Sequence, residues 1–463
     1  MKKGKKKNRF ICAILSVCVS LAMIPTFAFA EETAQPSEAG QSQSQEVQQP
    51  AEQNSGTQQA EQPAQEEEAA AGSSAKPKTA KEVTETNYTV KATRTGKLKY
   101  RWPGYVTSIR SGKTTSLTKT YTKATTFKIT PYDGFSIYDV IVDGKSVGKV
   151  SSYTFEEGTT GSHTIYAKFR RTGVFILIDP GHAGYCNRGY YSYFYESERM
   201  WKEANYLRYY LDKYPGVVVG MTKKSLYDDP SVYGRGAMAK GYDLFISCHT
   251  NESTSKYSDY PLAIVSYAKA RRAVAGPLGK DLAKTMKSTM KTRQSYQVWV
   301  KRQSDGRDWF GVIRGSGDVN VPGMILEHSF HSNPRACKWM HYNSNLKKLA
   351  RNESKVIASH YGVSSTGQVT APATPTGFNA VGKRYRKARV TWYQVAGASG
   401  YQLYRADSKY GKYKRIKTTS ANSYYDYSLE TTSYYKVRAY RNLTNGKRLY
   451  SSFTSPNCAK YFY

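Results

Sequence analysis

The sequence predicts a multidomain chain. An α/β domain with a mostly parallel sheet flanked by helices sits between two small all-β modules, and a disordered tether precedes them. Three observations predict this. Residues 173–362 alternate short apolar runs with helical periodicity, as strand–helix repeats do. Residues 86–171 and 374–463 instead alternate polar with β-branched or aromatic residues. Residues 31–85 are rich in Gln, Glu, Ala, Ser and Pro, hold no aromatic residue, and cannot bury a core.

The 463-residue chain opens with the basic run KKGKKKNRF, the apolar ICAILSVCVSLAMIPTF and the small residues AFA. These are the three parts of a secretory signal peptide, residues 1–30, with cleavage expected after Ala30. The mature chain is then secreted or wall-associated, with no stable membrane span, since no other apolar run is long enough to cross a bilayer. Cys12 and Cys18 leave with the signal. Cys186, Cys248, Cys337 and Cys458 are widely spaced and form neither a disulfide framework nor a zinc ribbon, although one bridge is sterically open to them.

The formal charge is +34, with 69 Lys and Arg against 35 Asp and Glu. Such a balance implies an anionic partner. For an exported chain the expected polyanions are cell-wall phosphate polymers rather than nucleic acid, and the chain is expected to act as a monomer.

The first all-β module, 86–171, contains NYTVKATRTGKLKYRW, TPYDGFSIYDVIVDGKSVGKVSSYTF and HTIYAKF, broken by turns such as YDG and DGK. It resembles the internalin-type B-repeat modules of bacterial surface proteins, which implies a spacer role without catalysis. In 173–362, strands are expected at VFILID, GVVVGMT, YDLFISCH, LAIVSYA, WFGVIRG and GMILEHS. Helices are expected near 197–213, 231–240, 270–290 and 344–361. In 374–463, PTGFNAV, VTWYQVAGASGYQLYR and SYYKVRAY together resemble a fibronectin type III sandwich. That segment carries 17 basic and three acidic residues and 15 tyrosines.

The chemistry gathers where strands of the α/β domain end. VFILID stops at DPG and delivers His182. YDLFISCHTN likewise ends in His249. Side chains alternate along a strand, so His249 shares a face with Ser247 while Cys248 points into the core. In open α/β sheets the carboxyl ends of strands are where ligands bind. Two imidazoles and one carboxylate would suit zinc with a fourth position open. The carboxylate is available in YFYESERMW, from Glu196 rather than Glu198, which complements the positive end of the helix. A third strand, GMILEHSFHSN, ends in Glu327, a carboxylate suited to serve as general base and then acid. His328 and His331 are read as residues that orient loops. Five tyrosines in YCNRGYYSYFY, 185–195, could stack on sugar rings or simply be exposed.

DPGHAG, YES, DLFISCHTN and ILEHSFHSN, in that order, resemble the zinc-dependent N-acetylmuramoyl-L-alanine amidases of bacterial cell walls (type 3). The resemblance implies one Zn2+ held by His182, Glu196 and His249, with Glu327 catalytic. It also implies hydrolysis of the amide between N-acetylmuramic acid and L-alanine in peptidoglycan. The departures are Ala183 for a second glycine, Cys248 for an isoleucine and Lys223 for an arginine; none removes a ligand. The alternatives are a zinc peptidase cutting the stem peptide and a catalytically inactive wall-binding adhesin.

Overall fold

The structure is a computed structural model and describes residues 86–92, 104–108, 112–113, 116–119 and 124–461. The expected signal peptide and tether lie outside the described residues. Among the described residues, no helix is long and apolar enough to cross a membrane, and Cys248, Cys337 and Cys458 are free thiols.

The first module is all β. Its strands are β1 (Thr86–Ala92), β2 (Gly104–Ser108), β3 (Gly112–Lys113), β4 (Ser116–Lys119), β5 (Thr125–Pro131), β6 (Phe135–Val142), β7 (Lys145–Gly148), β8 (Ser152–Phe155) and β9 (Gly161–Arg171). They form one sheet ordered β4-β1-β9-β6-β7 and another ordered β3-β2-β5-β8. Alternation dictates the packing: Phe127, Ile129, Val140, Ile165, Ala167 and Phe169 turn inward to a shared core.

Only Thr172 and Gly173 separate β9 from β10 (Val174–Pro180). Both donate to the Gly134 carbonyl at 2.8 Å, and Phe135 packs on Phe175 with ring centroids 5.4 Å apart. The first module is therefore docked on the second, not strung from it.

The α/β domain continues with α1 (Glu196–Leu211), β11 (Val217–Met221), α2 (Val232–Ala237), β12 (Leu244–Asn251), β13 (Leu262–Val265), α3 (Lys269–Met290), β14 (Gln297–Val300), α4 (Gly311–Asp318), β15 (Gly323–Phe330), α5 (Pro334–His341) and α6 (Asn343–His360). The sheet order is β11-β10-β12-β15-β13-β14. β10, β11, β12 and β15 pair in parallel, but β13 runs antiparallel to β15, so the sheet is mixed. Every residue of β10 is buried because helices cover both faces. Val174, Ile176, Ile178, Leu244, Ile246, Cys248, Met324 and Leu326 face α1, α3 and α6. Leu177, Phe245 and Ile325 face α2 and α4.

One expected strand is a helix. WFGVIRG belongs to α4. The apolar run reads equally well in either period, and close packing decides it: a Cβ on Gly236 of α2 would lie 2.0 Å from the Val312 carbonyl. The glycine lets α2 and α4 touch backbone to backbone.

The C-terminal strands are β16 (Asn379–Lys383), β17 (Lys387–Thr391), β18 (Gly400–Ala406), β19 (Lys414–Thr419), β20 (Ser423–Asp426), β21 (Ser433–Asn442), β22 (Arg448–Tyr450) and β23 (Asn457–Ala459). They form two sheets, β16-β17-β20 and β19-β18-β21-β22, with β23 also pairing β21. Trp392, Leu403, Tyr435 and Val437 fill the space between them.

Arg441 of β21 fastens this sandwich to the α/β domain. Its guanidinium donates to the carbonyls of Gly397 (2.8 Å), Gly362 (3.1 Å) and Thr370 (3.2 Å), and to that of Tyr361. It is 3% exposed. Arg441→Ala orphans these carbonyls and is expected to destabilise the junction by at least about 2 kcal/mol. Thermal unfolding should split into two transitions, and protease should cut within 362–376 several-fold faster. A single unshifted transition would show that the clamp carries no load.

Candidate functional site

Three parallel strands end side by side and project chemistry from one edge. β10 ends at Pro180, and His182 follows at φ 54°, a left-handed conformation uncommon for a residue with a Cβ. The Lys223 ammonium donates to the His182 carbonyl and secures the turn. Gly181 lies under the His249 ring, and a Cβ there would come within 2.5 Å of it. The glycine is what allows the two imidazoles to approach, with ring centroids 4.8 Å apart.

Beneath this turn lies Asp179, fully buried. It accepts from Thr222 Oγ1 (2.6 Å), Ser247 Oγ (2.6 Å) and Arg235 (3.2 Å). One carboxylate thus joins the ends of β10 and β12, the exit of β11, and α2. Burial lowers the Lys223 ammonium to about 8.

Glu196 is the first residue of α1, on the same stripe as Met200, Ala204, Leu207 and Leu211, and is likewise buried. Its Oε2 lies 3.3 Å from His182 Nε2 and its Oε1 3.1 Å from His249 Nδ1. The Thr250 N–H donates to Oε1 at 2.8 Å, and the Asn187 amide donates to Oε2 at 2.7 Å while facing His182 Nε2 at 3.0 Å. Burial raises the Glu196 carboxyl, but His182 and His249 outweigh it and hold the group well below the ordinary range. Burial pushes His249 down, only partly offset by Glu196. His182, more open, is raised by Glu196 in spite of burial.

Donor atoms of His182, Glu196 and His249 all lie within 4.8 Å of one another. Tetrahedral zinc, with bonds of about 2.0–2.2 Å, places its ligand atoms about 3.3 Å apart. Each imidazole lies at about that spacing from one Glu196 oxygen, and two imidazoles with a carboxylate are a donor set that zinc takes. Glu198 instead pairs with Arg199 and Lys202, outside the trio.

Glu327 is paired in register with His249 across the β12–β15 ladder and shares its face of the sheet. Its Oε2 is buried with no hydrogen-bond partner. Burial and the neighbouring Glu196 carboxylate push it up to about 8. His331 bonds Thr250 Oγ1 at 2.9 Å and lies 3.9 Å from Glu196 Oε2. His328 is not on a loop: it lies within β15, fully buried on the opposite face. Tyr185, Tyr195 and Tyr227 form an aromatic edge beside the His182 turn, with Tyr185 and Tyr227 well exposed.

Residues 176–359 match the N-acetylmuramoyl-L-alanine amidase family. Among solved structures, the catalytic domain of CwlV, an N-acetylmuramoyl-L-alanine amidase from Bacillus (Paenibacillus) polymyxa var. colistinus, is 19% identical with a TM-score of 0.36, over 41% of this chain and 99% of that one. An N-acetylmuramoyl-L-alanine amidase from Clostridium difficile 630 is 21% identical with a TM-score of 0.34, over 41% and 97%. The amidase AmiC2 of Nostoc punctiforme is 18% identical with a TM-score of 0.34, over 40% and 96%. No curated protein matches the chain.

Asn187, Asp179, Arg235 and Thr250 support the candidate site, and sequence reasoning gave them no such place. Asn187 sits within a tyrosine-rich loop with no periodicity to single it out. Asp179 carried a signal, as a carboxylate at the buried end of a strand.

The Glu327 shift has a thermodynamic consequence. Its folded value, about 8, lies above the ordinary 4.5. The stability this gives is complete below about pH 4.5 and is lost as pH rises toward 8. Metal-free protein carrying Glu327→Gln should therefore gain on the metal-free parent between pH 5 and pH 8. Urea unfolding with chelator at both values measures this; a gap that does not widen would contradict the burial of the carboxyl.

Proposed function

We propose that the chain is an exported, zinc-dependent peptidoglycan hydrolase that cleaves the amide between N-acetylmuramic acid and the L-alanine of the stem peptide. The observation that carries this reading is the convergence of His182, Glu196 and His249, with Glu327 beside them, in a domain that matches the amidase family. His182, Glu196 and His249 would hold one zinc ion, which when bound supplies Lewis acidity toward a carbonyl oxygen and toward water.

The chain's own groups do the rest. Asn187 and the Thr250 N–H fix the Glu196 carboxylate so that both oxygens face imidazoles. Glu327, as carboxylate, accepts the proton of the attacking water. Once protonated it donates to the departing L-alanine amine. Burial raises this carboxyl in the metal-free chain, and a carboxyl so enclosed suits a group that must take up a proton and then return it. Tyr185 and Tyr227 offer ring faces on which sugars can stack.

His182→Ala or His249→Ala should lose the metal. Glu327→Gln should keep it and lose hydrolysis at least about 100-fold. Mass spectrometry of digested wall reads the bond cut. Products split within the stem peptide would convert the assignment to a peptidase, and wall left intact by a zinc-loaded protein would leave only a binding role.

The C-terminal sandwich is read here as the wall anchor. Lys383, Arg384, Arg386, Arg389, Lys414, Arg415 and Lys417 are exposed, and self-repulsion among them favours no fold. Anionic wall polymers are the proposed partner. Sedimentation with purified walls should weaken steeply with salt, since screening shortens to roughly 8 Å at physiological ionic strength. Retention unchanged in molar salt would count against charge and in favour of the tyrosines.

A further inference from the structure

We propose that Glu203, His328 and Glu353 form a second, fully enclosed site for a divalent transition metal, on the face of the sheet opposite Glu327. Glu203 lies on α1, His328 on β15 and Glu353 on α6, and all three are 0% exposed. Their donor atoms lie within 4.8 Å of one another. The inference stands independently of the amidase reading.

The positions are unusual first as sequence. Glu203 and Glu353 occupy the buried stripes of their helices, Glu203 among Met200, Ala204 and Leu207, and Glu353 among Leu349, Ala350 and Ile357. Core positions rarely hold acids unless these are paired or bind metal.

Second, the polar atoms of the three side chains converge on one another. Among the described residues they meet no other polar side chain or backbone group except the Cys248 thiol beside Glu203 and the His249 carbonyl at His328 Nδ1. Both oxygens of Glu203, both of Glu353, and His328 Nε2 are buried with no hydrogen-bond partner. His328 Nε2 is 3.2 Å from Glu353 Oε1. That separation matches the roughly 3.3 Å between ligands of tetrahedral zinc.

Third, the tautomer is set from outside. His328 Nδ1 lies 2.9 Å from the His249 carbonyl oxygen. A carbonyl only accepts, so Nδ1 carries the proton. In a neutral ring Nε2 then directs its lone pair at the two carboxylates. An imidazole whose far nitrogen is tied to a backbone carbonyl is the usual arrangement of a metal-ligating histidine.

Charge closes the argument. Two buried carboxylates and a neutral imidazole carry −2, and a buried charge without compensation costs several kcal/mol. A divalent cation balances it. Two protons would too, one on His328 and one on Glu203, whose carboxyl burial and Glu353 push well up. That solution would use the Glu203–Glu353 and His328–Glu353 contacts as hydrogen bonds, and the two solutions differ in whether the cluster holds a metal, which a metal count reads. Two carboxylates and an imidazole suit zinc.

The test counts metal by plasma mass spectrometry in the full chain, after loading with zinc and dialysis. The parent should hold two zinc ions. His182→Ala combined with His249→Ala leaves the buried cluster untouched and should hold one, released only slowly to chelator. Adding Glu353→Gln should bring the count to zero, with circular dichroism verifying the fold. If that variant does not fold, the double histidine variant still decides: one zinc supports the site and none overturns it. A parent with one zinc, lost on changing His182 and His249, overturns this proposal and leaves the amidase site standing. One zinc in both the parent and the double histidine variant would do the reverse.

Discussion

The carboxylate of Asp179 is the point on which the site depends. It is buried, and a buried charge is tolerated only when its lone pairs are filled. Thr222, Ser247 and Arg235 fill them, each from a different element. The same bonds that satisfy the charge align the strand ends. Since Pro180, Gly181 and His182 follow at once, the first imidazole is placed by the geometry of an ion pair three residues before it. Glu196, anchored by Asn187 and Thr250, is then brought to a position already defined.

Strand parity divides the chemistry of the sheet edge. His249 and Glu327 face one way, and Cys248 and His328 face the other, although each pair is adjacent in sequence. The open side meets solvent and a row of tyrosines. The closed side meets α1 and α6. Across the backbone, the His249 carbonyl and His328 Nδ1 tie the two sides together.

How much of this is legible in the sequence follows from which signals are local. β10, β12 and β15 are uninterrupted apolar runs that end in polar residues, and they are read with nearly their true limits. α1, α3 and α6 show helical spacing and are equally plain. Convergence of His182, Glu196 and His249 is legible because all three close strands or open a helix at one edge. α4 is not legible: a run such as FGVI suits a strand or a short helix, and only its glycine contact with α2 separates them. The antiparallel course of β13 depends on a connection path that has no sequence mark. Glu203 and Glu353 did carry a mark, an acid on an apolar stripe, but it appears only once the stripes are drawn.

Arg441 and the two-residue passage at Thr172–Gly173 have a further consequence. A binding module on a slack linker raises the local concentration of its enzyme but leaves every orientation open. Here Arg441 of the sandwich holds the Tyr361 and Gly362 carbonyls at the end of the α/β domain, and Arg170 reaches from the first module to the sandwich at Gly446, 3.2 Å away. If the exposed basic residues of the sandwich grip a polymer strand, the angle between that strand and the candidate site's edge is constrained. Rotational entropy that a tethered enzyme would lose at each encounter is then lost once, when the chain folds. Under the proposed wall-binding role, adhesion would be a means of aiming, and bonds would be selected by the direction in which the wall presents them.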